Sequence, residues 1–69
     1  MIRNKLELEA TWERINRFQQ QVEKLREVET DPNAYRMSAG GFLTELDRMN
    51  LEVRDYLWLH PSELADQAA

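Results

Sequence analysis

The sequence predicts an all-α fold: an antiparallel two-helix hairpin that dimerises into a four-helix bundle. Three observations predict it. Apolar residues recur every seven positions in two long segments, a single turn-forming cluster separates those segments, and the chain is only 69 residues long. So short a chain buries a small share of its surface and usually needs a disulfide, a metal or a partner subunit. Cysteine is absent and His60 is the sole histidine. Self-association is therefore the expected staple, and a homo-oligomer the expected state.

The first segment runs without Gly or Pro from Asn4 to Glu29. Leu8, Ile15 and Val22 form one row seven residues apart, and Thr11, Phe18 and Leu25 form the row offset by three. That is a heptad seam on a helix over about residues 4–29, roughly 40 Å of rod. Trp12 and Val28 flank the seam and widen it. The side away from the seam carries Glu9, Glu13, Arg17, Gln20, Lys24 and Glu27.

Asp31-Pro32-Asn33 then has turn chemistry: Pro presets its own φ, and Asp before Pro is biased out of the helical region. A loop over residues 30–38 is expected. The second helix is expected over about residues 39–59, with Phe42, Met49 and Tyr56 in one row and Leu46 and Val53 in the other. Leu43 and Leu57 broaden this stripe. Pro61 blocks continuation, so residues 1–60 form the hairpin and 61–69 a polar, frayed tail. A hairpin with that nine-residue loop sets Leu25 against Phe42 or Leu43, Val22 against Leu46, and Phe18 against Met49. Further along, Ile15 meets Val53, Trp12 meets Tyr56 or Leu57, and Leu8 meets His60.

Gly40 and Gly41 are the only glycines. An anion cradle is one reading of a glycine pair at a helix start. Its usual context, a preceding strand and a following Lys, is missing. Structure explains the pair better: Ser38 is a good N-cap, Met37 and Phe42 have the spacing of a hydrophobic staple, and the glycines permit close backbone approach. The expected neighbour is helix 1 near Leu25, or a second subunit.

The stripes are wider than one hairpin covers. The expected self-interface comprises Leu8, Trp12, Ile15, Phe18, Val22, Leu25, Phe42, Leu46, Met49, Val53, Tyr56 and Leu57. Leu51 and Trp58 lie seven apart on the outer face, with Leu59 beside them. These three form a candidate patch for a different partner, since an aligned Leu and Trp suit an interface anchor. Folding of the tail over Trp58, with Leu64 as cover, is the alternative.

The charge is uneven. Residues 1–29 hold six basic and six acidic side chains, whereas residues 30–69 hold three basic and seven acidic, net −4. Basic density suited to nucleic acid is lacking, and the acidic half suits a basic protein partner. The longest apolar run, Tyr56–Leu59, is far short of a membrane span. The start of the chain is charged throughout and has no signal-peptide core, so a soluble cytoplasmic protein is expected. His60, directly before Pro61, is expected to cap the end of helix 2 or to stand in solvent. Glu45 and Glu52 are expected to pair with Arg14, Arg26 or Lys5 on helix 1. With no nucleophile–base set and no metal-ligand spacing, the chain is expected to be non-enzymatic and free of cofactors.

Residues 33–63, NAYRMSAGGFLTELDRMNLEVRDYLWLHPSE, resemble part of a group of small bacterial helical-hairpin proteins of unassigned function. The layout is also similar to the helical N-terminal part of HigA-type antitoxins, through Arg17-Phe18 and the row Leu46, Val53, Tyr56-Leu57. The DNA-reading helix-turn-helix of that family has no counterpart here. The resemblance therefore implies a dimerising or partner-binding role, an antitoxin-like or regulatory protein, and no transferred site residues.

Overall fold

The computed structural model describes residues 1–63, and over them the chain is a hairpin of two helices, α1 (Lys5–Val28) and α2 (Pro32–Trp58). The hairpin measures 50 × 16 × 15 Å. The expected tail beyond Glu63, including any cover by Leu64, lies outside the described residues.

Both helices start on side-chain caps. Asn4 accepts the Glu7 N–H at 2.8 Å, and the Glu7 carboxylate reaches back to the Arg3 N–H at 2.7 Å. This reciprocal arrangement satisfies donors that the first turn leaves free. Asp31 caps α2, accepting from the Asn33 N–H at 3.2 Å, with Pro32 in the first helical position. Pro suits that position because its missing N–H is not needed there and its φ is already helical. The Glu29 carboxylate holds the Asp31 N–H at 3.1 Å, and the Glu29 N–H closes α1 on the Leu25 carbonyl at 2.9 Å.

This start corrects the expected loop. Residues 32–38 are helical, and only Glu29, Thr30 and Asp31 connect the helices. Ser38 is therefore no N-cap, and Met37 and Phe42 form no staple: Met37 is 83% exposed within the helix. Asp-Pro-Asn has turn chemistry but is also a helix-start signal, and that role prevails here.

The shorter connection slides the helices past each other. Phe18 packs edge-to-face on Phe42, ring centroids 5.5 Å apart, where the longer loop would have set it against Met49. The slip is seven residues, one heptad. Because Phe42 and Met49 share a row, the same face of α2 still meets α1 while every cross-helix partner changes.

The core is short and continuous. Leu8 and Ile15 of α1 pack with Leu46, Met49 and Val53 of α2, and Phe18, Val22 and Tyr56 border them. Met49 is the most completely buried large side chain, 1% exposed. Ala39 is equally buried, nearer the turn. Ile2 also enters this core, from the segment preceding α1. Its burial was not expected, because one apolar residue before a helix belongs to no periodic row.

The Phe18–Phe42 pair reports the register. In a double-mutant cycle with Phe18→Leu and Phe42→Leu, we expect coupling of about 0.5–1.5 kcal/mol in urea unfolding, the usual worth of an edge-to-face pair. Phe18→Leu with Met49→Leu should show weaker coupling. The reverse order would restore the register of the longer loop.

Candidate interaction surface

The seam between the helices has two unlike flanks. On one, Ile2 sits in a groove bounded by Ala10, Thr11 and Arg14 of α1 and by Glu52 of α2. Farther toward the turn, the same flank opens a shallow groove over Phe18 and Phe42, edged by Ser38, Gly41 and Glu45. Arg48 pairs here with Glu45 and, at 3.5 Å, with Glu52. Its guanidinium is held above the ordinary arginine range by the Glu45 hydrogen bond, then by the charges of Glu45 and Glu52. Thus Glu45 and Glu52 find their cation one turn away on their own helix, not on α1 as expected. The Met1 amino group also approaches Glu52, at 4.0 Å. These contacts are solvent-exposed and contribute little stability. They lay a charged strip along this flank, between the groove over Phe18 and Phe42 and the one lined by Ile2, Tyr56 and Leu59.

The other flank carries three exposed large apolar side chains among polar ones. A step of two residues turns a helix by about 200° and so reaches its opposite side. Trp12 lies two residues from both Ala10 and Arg14, and Leu43 two residues from both Gly41 and Glu45. Trp12 and Leu43 therefore stand together across the seam from the polar groove. Leu57 continues the Leu43 row by two heptad steps. These three remain 48%, 46% and 59% exposed. Leu8 and Leu46, buried in the seam, form the floor between them.

The expected self-interface residues divide accordingly. Leu8, Ile15, Leu46, Met49 and Val53 are buried inside a single hairpin. Phe18, Val22, Leu25, Phe42 and Tyr56 are half-buried along the seam. Trp12 and Leu57 stand in solvent, with Leu43. The partner patch divides too. Leu51 and Trp58 share the back of α2, and Trp58 is 83% exposed. Leu59 is half-buried and lines the groove beside Ile2 and Tyr56, so the structure separates it from Trp58.

His60 does not end α2; Leu59 does, its N–H bonding the Tyr56 carbonyl at 3.2 Å. His60 instead caps a new turn starting at Pro61. Its Nδ1 accepts the Ser62 N–H at 3.2 Å, and its own N–H donates to Glu63 at 3.1 Å. The Ser62 hydroxyl also lies 2.9 Å from the same ring nitrogen. Among the described residues, no three His, Cys, Asp or Glu side chains converge to hold a metal ion, and no helix is long and apolar enough to cross a membrane.

Comparison of the chain with protein-family models, with curated proteins and with solved structures yields no match.

The glycines need a new account. Both lie inside α2, both have negative φ, and a Cβ built on either meets nothing within 4 Å. The close approach expected near Leu25 is absent from the hairpin. Glycine in a helix interior costs about 1 kcal/mol relative to alanine. Gly40→Ala and Gly41→Ala should therefore each raise stability by about 0.5–1 kcal/mol, measured by urea unfolding at fixed chain concentration. A loss instead would place a contact over the glycine that the isolated hairpin does not make.

Proposed function

We propose that this chain is a non-enzymatic interaction module that acts by pairing with itself through the flank of Trp12, Leu43 and Leu57. The observation that carries the reading is the exposure of Trp12, Leu43 and Leu57 together on one flank, away from the flank where Arg48 pairs with Glu45 and Glu52. Areas are compatible with it. The chain exposes 5634 Å², whereas a compact monomer of 8.2 kDa exposes about 4,500 Å². The surplus of roughly 1,100 Å² is spread over the whole 50 × 16 × 15 Å rod, and an interface of standard size buries about 800 Å² from each partner. Stacking two hairpins flank to flank yields a four-helix bundle, in which Leu8 and Leu46 change from a floor to an interior layer.

A second reading concerns the back of α2. Exposed Trp58, aligned with Leu51 on the acidic half of the chain, suits a basic protein partner in the manner of an antitoxin or regulator. This surface points away from the seam, so occupying it leaves self-pairing free. Trp58→Ala should then weaken that complex without changing the oligomer.

Light scattering coupled to gel filtration tests the main reading directly; a folded monomer at micromolar concentration would end it. The two tryptophans refine the test. With Trp58→Phe, the remaining Trp12 should shift to shorter emission wavelength and lose access to acrylamide as chain concentration rises. With Trp12→Phe, the remaining Trp58 should stay accessible throughout. A concentration-dependent change at Trp58 alone would move the self-interface to the back of α2.

A further inference from the structure

The flank of Trp12, Leu43 and Leu57 also specifies how two copies would lie on it. Arg36, Leu43, Asn50 and Leu57 form one row along α2 at steps of seven, and the stretch from Leu43 to Leu57 reads the same in both directions about Asn50. On α1 the facing row is Lys5, Trp12, Gln19 and Arg26, again at steps of seven. The antiparallel register set by Phe18 and Phe42 brings Trp12 level with Arg48, within two residues of Asn50. Trp12 and Asn50 are thus neighbours at the middle of the flank, with Leu43 beside Gln19 at one end and Leu57 beside Lys5 at the other.

Two hairpins stacked on this flank can be related by a two-fold axis in two ways. If the axis runs along the helices, both turns lie at the same end and each α2 covers the α1 of the other copy. Leu43 then meets Gln19 and Leu57 meets Lys5, so both leucines are buried against polar side chains. If the axis runs across the helices, the turns lie at opposite ends, α1 covers α1 and α2 covers α2. Leu43 then meets Leu57 of the second copy on either side of Asn50, the Trp12 rings lie side by side, and Asn50 meets Asn50.

From this matching of like with like we propose that the second copy binds antiparallel, turns at opposite ends, with the two-fold axis passing between the two Asn50 side chains. This rests on the self-association reading and adds the orientation. The Asn50 amides can each donate to and accept from the other across the axis. A polar pair between the two leucines costs stability but penalises every shifted register, which leaves one amide unpaired.

The chain has no cysteine, so single substitutions report directly. Asn50→Cys, oxidised under conditions where light scattering shows dimers, should convert to a disulfide-linked dimer with loss of the monomer band on a non-reducing gel. Leu43→Cys alone should stay monomeric there, because its two copies lie about 20 Å apart along the rod, far beyond disulfide reach. Mixed with Leu57→Cys, it should cross-link. Circular dichroism and light scattering on each variant check that it folds and pairs, and Trp12→Cys serves as a second near-axis site if Asn50→Cys does not pair. If the native chain is monomeric, the self-association reading itself fails. If the native chain is dimeric but a mixture of Asn50→Cys and Trp12→Cys cross-links in place of Asn50→Cys alone, the turns share one end and this orientation is wrong. A dimer that cross-links at none of these positions uses another surface and overturns the proposal as well.

Discussion

The connection between the helices governs everything downstream of it. Three residues, Glu29 to Asp31, carry the chain from one helix to the other. Within them, Glu29 closes α1 through its N–H, holds the Asp31 N–H with its carboxylate, and leaves Asp31 to cap α2. Nothing in this turn is free to lengthen, and a connection that short forces antiparallel neighbours. With the turn fixed, Phe18 falls on Phe42 and Trp12 falls beside Asn50. The layers of the core and the layout of the exposed flank therefore follow from one small set of hydrogen bonds.

The seams were legible in the sequence because a heptad row survives errors that would ruin other patterns. Moving the start of α2 from residue 39 to Pro32 displaces each cross-helix pair by one heptad and leaves the facing rows unchanged. Leu8, Ile15, Leu46, Met49 and Val53 were thus recognisable as apolar seam residues even though their partners were misjudged. The start of α2 was not legible for a definite reason. Asp31-Pro32 is equally good as a turn and as a cap followed by a first helical residue, and the choice depends on whether residues 33–38 have a helix to join. Ile2 was hidden because burial outside a periodic segment leaves no pattern. Glu45 and Glu52 were assigned cations across the seam, when Arg48 was available within a single turn on the same face.

The glycine pair changed its meaning most. Placed at a helix start, Gly40 and Gly41 would have been explained by close approach of helix 1. Placed inside α2, they have open space where their side chains would be, and nothing within the hairpin requires them. Their visible consequence lies on the flank of Arg48, where Gly41 leaves the groove over Phe18 and Phe42 uncovered. The aromatic pair that records the helix register is consequently also reachable from solvent on the flank opposite Trp12.

The two flanks set different constraints on assembly. On one, Arg48 is already engaged with Glu45 and Glu52, so covering it would strip water from charges that are weakly rewarded for pairing. On the flank of Trp12, the α2 row holds Arg36 near the turn and Asn50 midway between Leu43 and Leu57. A second copy can satisfy that amide by symmetry, since the group it must meet is itself. A partner of different sequence would need a matching amide at one position and leucine-sized cavities seven residues to either side. The seven-residue spacing thus serves two purposes. It keeps Leu43 and Leu57 on the rim of the intramolecular seam, and it makes the same rim complementary to its own image.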